Sequence, residues 1–283
     1  MKRTALLHRL MLLLPLALCS APSSFAQRTP IARIQPIPND LTPQVNLSQC
    51  GDFVGHYGPL DFRIIDPLDK RNVESNHFEM ELRTFLAGRL EGRTRAGVGG
   101  VMGGFDYTAR AIPNHPTVLL VLEEYGRRIK SERVSEIPLE CYYMRAFMVA
   151  PDDPVVRAMY GVYLSHRGRD AEALASLKLA DEGTRTMAAV QYQIGLAHQR
   201  LKEYRKAQLN ALRTAKLNFP LDVLERSLRA AGKWDDQLQL PVEVLDDEPV
   251  PASSDPPSTP ASAPAVKATQ RAVPGVTPLL TAP

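Results

Sequence analysis

Few residues of this chain could do chemistry together, and the closest set is an acid and a histidine. Glu74 and His77 stand three apart. On a helix they share a face, where a carboxylate and an imidazole can hold one metal ion or pass a proton. His56, Glu81, Asp106 and His115 lie near enough in the chain to complete a shell, which makes residues 56–115 the place for a hydrolase, metal-binding or carbohydrate-binding site. The competing reading puts Glu74 on the solvent side of an amphipathic helix, with His77 beside its apolar stripe. Such pairs arise often by chance, so no catalytic residue and no cofactor is assigned, and Glu74, His77 and His115 stand only as candidate metal ligands. Paired-cysteine zinc spacings, His-Glu-x-x-His and a Gly-x-Ser-x-Gly elbow are absent from the sequence. Five glycines between 97 and 104 could cradle an anion through backbone N–H groups. They lack a Gly-Lys-Ser/Thr ending and nothing before them reads as a strand, so a loop between helices is expected.

The elements that carry these residues read as helices. Asp66-Pro67 is a helix start, with Asp as N-cap and Pro in the first turn. Val73, Phe78, Leu82, Phe85, Leu86 and Leu90 recur at helical steps, which predicts one helix of roughly 20 residues ending before Gly92. Residues 105–112 read as the end of a second helix, and Pro113-Asn114-His115-Pro116 as the turn into a third, continued by Val118, Leu119, Leu122 and Tyr125. Leu139, Tyr142, Tyr143, Ala146, Phe147 and Val149 mark another, closed by Pro151. Segment 27–49 is polar and carries Pro30, Pro36, Pro38 and Pro43, each of which removes a backbone donor, so it reads as an extended arm.

Residues 154–220 write one helical hairpin twice. Gly161 recurs as Gly195, Ala173 as Ala207, Tyr160 as Ile194 and Leu177 as Ala211, each 34 residues later. A period of that size marks stacked helix–turn–helix units that cannot bury their apolar faces alone. The pattern resembles the tetratricopeptide (TPR) family. The first copy supplies Tyr160-Gly161, Leu164, Gly168 at the turn, Ala173, Leu177 and Ala180. The second supplies Ile194-Gly195, His198, Ala207, Ala211 and the closing Pro220, with Ala215 one position late. Pro113 and Pro151 stand 38 residues apart, which extends the array toward the N-terminus. The expected fold is therefore all-α, a TPR-like helical hairpin array (α-solenoid). It comprises a less regular helical segment at 50–115, itself a candidate degenerate repeat, a degenerate hairpin at 116–153, two repeats at 154–220 and a capping helix at 221–238.

The resemblance implies a protein-binding role without catalysis, because family members hold an extended peptide or a partner helix in the groove lined by the first helix of each hairpin. Carried across position by position, that groove comprises Ala158, Val162, Ser165 and His166 in one hairpin and Tyr192, Leu196, Gln199 and Arg200 in the next. The Asn and the second Lys or Arg with which family members grip a terminal carboxylate are missing from these positions. The alternative occupant of the groove is the protein's own N-terminal segment, long enough to fold back. Residues 105–116, with the stretch 58–63 and His77-Phe78, resemble a group of exported bacterial TPR-containing proteins.

Both ends of the chain read differently from its middle. Lys2, Arg3 and Arg9 precede an apolar run from Leu10 to Leu18, and Ser24-Phe25-Ala26 supplies small residues at signal-peptidase spacing. Residues 1–26 are expected to be a cleaved export signal and the mature chain periplasmic or secreted. Leu16-Ala17-Leu18-Cys19 resembles a lipobox with Leu18 out of pattern, so a lipoprotein anchored through Cys19 is the alternative. The signal segment holds three of the 34 basic residues and none of the 31 acidic ones, which leaves the mature chain with 31 of each sign. A neutral chain offers no electrostatic footprint for nucleic acid or an anionic membrane surface. No other stretch approaches the ~18 apolar residues that span a bilayer. Export also leaves Cys50 and Cys141 alone in an oxidising compartment, where a lone pair of thiols is more often a bridge than two free groups, so they are expected to be joined. Residues 239–283 are rich in Pro, Ala and Ser and cannot bury enough apolar surface to fold, and a disordered tail is expected.

Overall fold

The computed structural model describes residues 29–53, 57–94 and 97–241. The expected signal segment, Cys19, His56 and the tail from residue 242 lie outside the described residues, together with the expectations attached to them. Among the described residues the chain is helical: α1 (Pro67–His77), α2 (Glu79–Leu86), α3 (Met102–Ala111), α4 (Pro116–Ile129), α5 (Leu139–Val149), α6 (Pro154–Ser165), α7 (Asp170–Asp181), α8 (Ala188–Arg200), α9 (Tyr204–Lys216) and α10 (Val223–Ala230). An antiparallel hairpin, β1 (Glu91–Thr94) with β2 (Gly97–Gly100), stands between α2 and α3.

Local chemistry sets the helix ends. Asp66 accepts from the Leu68 N–H at 2.8 Å, Asp153 from Val155 at 2.8 Å, and the His115 ring from Val118 at 3.3 Å, each followed by a proline that has no N–H to leave unpaired. The chain leaves α4, α6 and α8 through left-handed residues, Lys130, Gly168 and Lys202.

Two expectations are corrected. The single helix from residue 67 is two helices, because Phe78 departs from helical backbone at φ −128°. Its ring is buried edge-on against Phe105 and His115, a contact that an uninterrupted helix would not deliver. The glycine-rich stretch is not a loop: residues 97–100 pair as β2, and Gly103 and Gly104 belong to α3. A Cβ at Gly104 would lie 2.2 Å from the His77 carbonyl oxygen, so bare backbone is what lets α3 lie against the α1–α2 junction.

The two hairpins written 34 residues apart fold alike. α6 lies on α7 and α8 on α9, with α8 beside α6 and α6 beside α4. A Cβ at Gly161 would meet Leu177 at 2.7 Å, and one at Gly195 would meet Leu224 at 2.4 Å. The small residues are therefore where the helices approach most closely. α10 lays Leu224 and Leu228 over a cluster with Tyr192, Ala207 and Ala211, closing the last hairpin's apolar face.

The arm is extended, and it is fastened along its length. Gln35 N–H donates to the Met148 carbonyl at 2.8 Å, Arg157 holds Asp40 through both guanidinium ends at 2.6 and 2.8 Å, and the Gln44 and Val45 N–H groups donate to Glu140 at 3.0 and 3.1 Å. Ile37, Leu41 and Val45 add apolar contact with the core. Cys50 and Cys141 are bridged, with Cα atoms 4.9 Å apart. The described arm therefore lies against α5, α6 and α7, and the alternative in which it fills the groove of α4, α6 and α8 is set aside.

Two measurements check this architecture. Gly161→Leu and Ala173→Leu should each lower unfolding free energy by about 1–3 kcal/mol through overpacking, and unchanged melting in both would refute the helix register. Replacing Cys50 and Cys141 by alanine opens a loop of 91 residues and should cost about 2–4 kcal/mol. Alkylation of the denatured protein without reductant should label neither Cys50 nor Cys141, and two labels would refute the bridge.

Candidate functional site

The acid–histidine set does not converge. Glu74 pairs with His115, not with His77: His115 Nε2 lies 2.9 Å from Glu74 Oε1, and Lys70 reaches the same carboxylate at 3.5 Å. His115 Nδ1 accepts the Val118 N–H, so both ring nitrogens are spent on holding α1 to the start of α4. Burial lowers the His115 pKa despite Glu74, which keeps the ring neutral, and Nε2 is then the donor. His77 stacks on Tyr107 at 3.7 Å and faces a cleft of about 420 Å³ with Tyr57, Asp69, Asn72 and Asn76. Asp106 is held elsewhere by Arg110 at 2.8 Å and by the Tyr142 hydroxyl. Glu81 packs its side chain against Gly104. Among the described residues, no group of three or more His, Cys, Asp or Glu side chains could hold a metal ion.

A different set does converge. Leu120, Glu123, Glu124 and Arg127 of α4, Val162 and His166 beside α6, and Gln193, Leu196 and Arg200 of α8 line one shallow cleft with room for about 20 Å³. Of the eight groove residues expected from sequence, Val162, His166, Leu196 and Arg200 are brought together there. Ala158 and Tyr192 are fully buried, Tyr192 in the cluster under α10. Ser165 is buried and donates to the Val162 carbonyl, while Gln199 is turned toward α10 and paired with Ser227 at 2.8 Å. The α4 contribution escapes the repeat pattern because the turn between α4 and α5 is longer than its later counterparts. The 38-residue spacing of Pro113 and Pro151 does carry Val162 onto Glu124, which lines the cleft.

The electrostatics of the cleft are uneven. Burial favours protonation of Glu123, but hydrogen bonds from His166 at 2.7 Å and from Arg167 at 2.8 and 2.9 Å outweigh it and hold the carboxyl below its ordinary range. Burial in turn lowers His166, and Arg200 and Arg127 add to the effect, so the ring is neutral at pH 7 with Nδ1–H aimed at Glu123. His166 Nε2 is then a lone pair, buried and without a protein partner, as is the Nε2 amide of Gln193. Arg200 donates to Ser165 Oγ at 3.0 Å and touches no carboxylate among the described residues, although the charge of Glu123 acts on it. Burial first, and then Arg127, push its pKa down to about 10. The cleft wall thus carries a cation, with an amide nitrogen and an imidazole lone pair buried behind it. The Glu123–His166 pair is oriented like a general-base dyad. The hydroxyl next to it in the chain, Ser165, already donates to Val162 and accepts from Arg200.

Set against protein-family models, curated proteins and solved structures, the chain matches none.

Three neutral histidines, His115, His166 and His198, all have pKa values lowered by burial. In the unfolded chain they titrate near the ordinary ~6.5. The unfolded state therefore binds more protons as pH falls through that value, so stability declines below it and rises toward neutrality. Melting temperature should increase between pH 5 and pH 7, with a shallower slope in His198→Gln. A flat profile, or an increase on acidification, would contradict buried neutral rings.

Proposed function

We propose that the protein is a binding scaffold of the TPR type, an exported helical array that holds an extended segment of another protein across α4, α6 and α8 and carries out no catalysis. The observation that supports it best is Arg200, a half-buried guanidinium that touches no carboxylate among the described residues, beside the unpartnered Nε2 atoms of His166 and Gln193. A half-buried cation whose nearby carboxylate, Glu123, is spent on other partners is suited to a counter-charge supplied by a ligand. The 34-residue repeat and the adjacency of α4, α6 and α8 support the solenoid reading, and the arm's course over α5, α6 and α7 leaves the groove to a partner. The Cys50–Cys141 bridge fits export, and among the described residues no helix is long and apolar enough to cross a membrane.

A displayed library of random twelve-residue peptides, selected on the full chain, tests the reading. Selected peptides should carry Asp or Glu, or depend on a free C-terminus, and should lose about tenfold or more in affinity on Arg200→Gln, because a charge-assisted bond is removed. Failure to enrich any sequence, or equal binding to Arg200→Gln, would defeat it.

A further inference from the structure

The arm runs along one groove of the helices, walling a cavity of about 300 Å³ there, and no segment among the described residues runs along the next groove in register. Around arm residues 40–42 the walls include Leu164, Glu172, Ala175 and Ser176. An open cavity of about 560 Å³ between α7 and α9 is walled by His198, Lys206, Leu209 and Asn210, each 34 residues further on. The two grooves are the same place in successive hairpins.

In the first groove the arm lays Leu41 against the core, gives Asp40 to Arg157, and donates the Thr42 hydroxyl to Glu172. In the second, Leu209 stands at the place of Ala175 in the repeat and joins Leu174 and Leu177 in an apolar floor. Glu172 is replaced by Lys206. The ion pair Arg169–Glu172 recurs as Glu203–Lys206, at the same spacing with the signs exchanged. That second pair is exposed on both sides, so it holds Lys206 weakly, and Lys178 is exposed at the same cavity. Arg213 is already paired with Asp181 at 3.0 Å and with Gln191 at 2.6 Å. The cavity's size lies within the range that binding sites occupy.

We propose that the α7–α9 groove docks an extended segment of a partner protein in the way the neighbouring groove holds the arm, with an apolar side chain on Leu174, Leu177 and Leu209 and a carboxylate at Lys206 and Lys178. This surface is separate from the α4–α6–α8 cleft and does not depend on it.

The probe is a labelled peptide of arm residues 35–46 with glutamate in place of Thr42, titrated into the full chain, and the control carries lysine at that place. The glutamate peptide should bind saturably and about fivefold tighter than the lysine peptide. The preference should invert on Lys206→Glu, a swap that a merely structural lysine would not produce. Absence of saturable binding, or a preference that Lys206→Glu leaves unmoved, overturns the proposal. The chain's own Val242-Glu243-Val244-Leu245-Asp246-Asp247-Glu248 offers the same chemistry, so a full chain carrying Asp246→Asn, Asp247→Asn and Glu248→Gln is titrated in parallel. Binding to that variant alone would assign the groove to the protein's own tail and overturn the partner.

Discussion

A buried carboxylate decides how this molecule is put together. Glu140, on the first turn of α5, accepts the arm's Gln44 and Val45 N–H groups on one oxygen, and Tyr160 of α6 at 2.8 Å and Arg169 at 2.6 Å on the other. Four segments that are distant in sequence meet on one side chain. Its ionic partner is equally occupied, since Arg169 also donates to the Thr42 carbonyl and to Glu172. Replacing buried charge by apolar groups can be neutral, but removing one partner strands the other, at a cost on the order of 3–5 kcal/mol. The next residue, Cys141, is bridged to Cys50, so covalent and ionic fastenings coincide where the arm crosses the helices. Arg145, one turn further along α5, is fully buried and caps the carbonyls of Cys50 and Asp52 at 3.1 and 2.7 Å. α5 is therefore the element against which the arm is set, and the arm's course determines which grooves stay open.

Repetition gives this arrangement a second use. A hairpin copied 34 residues on reproduces backbone, small-residue contacts and turn conformation, while its surface side chains are free to change. Leu164 becomes His198, whose Nδ1 pairs with Asn210 at 2.9 Å, and Ser176 becomes Asn210 itself. Asn210 also donates to Gln191 at 2.7 Å, and Gln191 accepts from Arg213 at 2.6 Å. The second hairpin thus spends polar groups on itself where the first spends them on the arm. Two grooves of one shape come to have different chemistry.

The repeat was legible in the sequence because packing fixes it: Gly161, Gly195, Ala173 and Ala207 are small where a Cβ or a longer side chain has no room. The helix starts at Asp66-Pro67 and Asp153-Pro154 could be read for an equally local reason, a cap followed by a residue without an N–H. The disulfide was expected from the count of cysteines and the export reading of the N-terminus. What could not be read depends on contacts between segments. Phe78 breaks its helix to reach Phe105 and His115, and Gly104 is helical because a neighbouring carbonyl occupies the space of a side chain, neither of which leaves a periodic trace. The candidate site was half legible. Val162, His166, Leu196 and Arg200 follow from the repeat, whereas Glu123 and Arg127 come from a hairpin whose longer turn shifts the register.

Arg200, with Arg145 on its two carbonyls, stands apart from how the rest of the charge is handled. Arg63, Arg110, Arg157, Arg167, Arg169 and Arg213 each lie within 3.0 Å of a carboxylate. Beyond residue 26 the chain holds equal numbers of acids and bases, so such matching is available to most cations. Leaving a half-buried guanidinium with one serine hydroxyl forgoes that compensation, and desolvation without a counter-charge costs stability. Glu123 is close enough to supply the charge, yet it is turned to His166 and Arg167. That orientation leaves Arg200 without a direct carboxylate contact, and it fixes the His166 tautomer with Nε2 as the unprotonated nitrogen. Local rules of pairing tend to be broken where a molecule meets something outside itself. Glu123 and Glu124 line the same cleft but are spent on His166, Arg167, Arg127 and Arg128, so Arg200 is the cation there left without a direct carboxylate contact among the described residues.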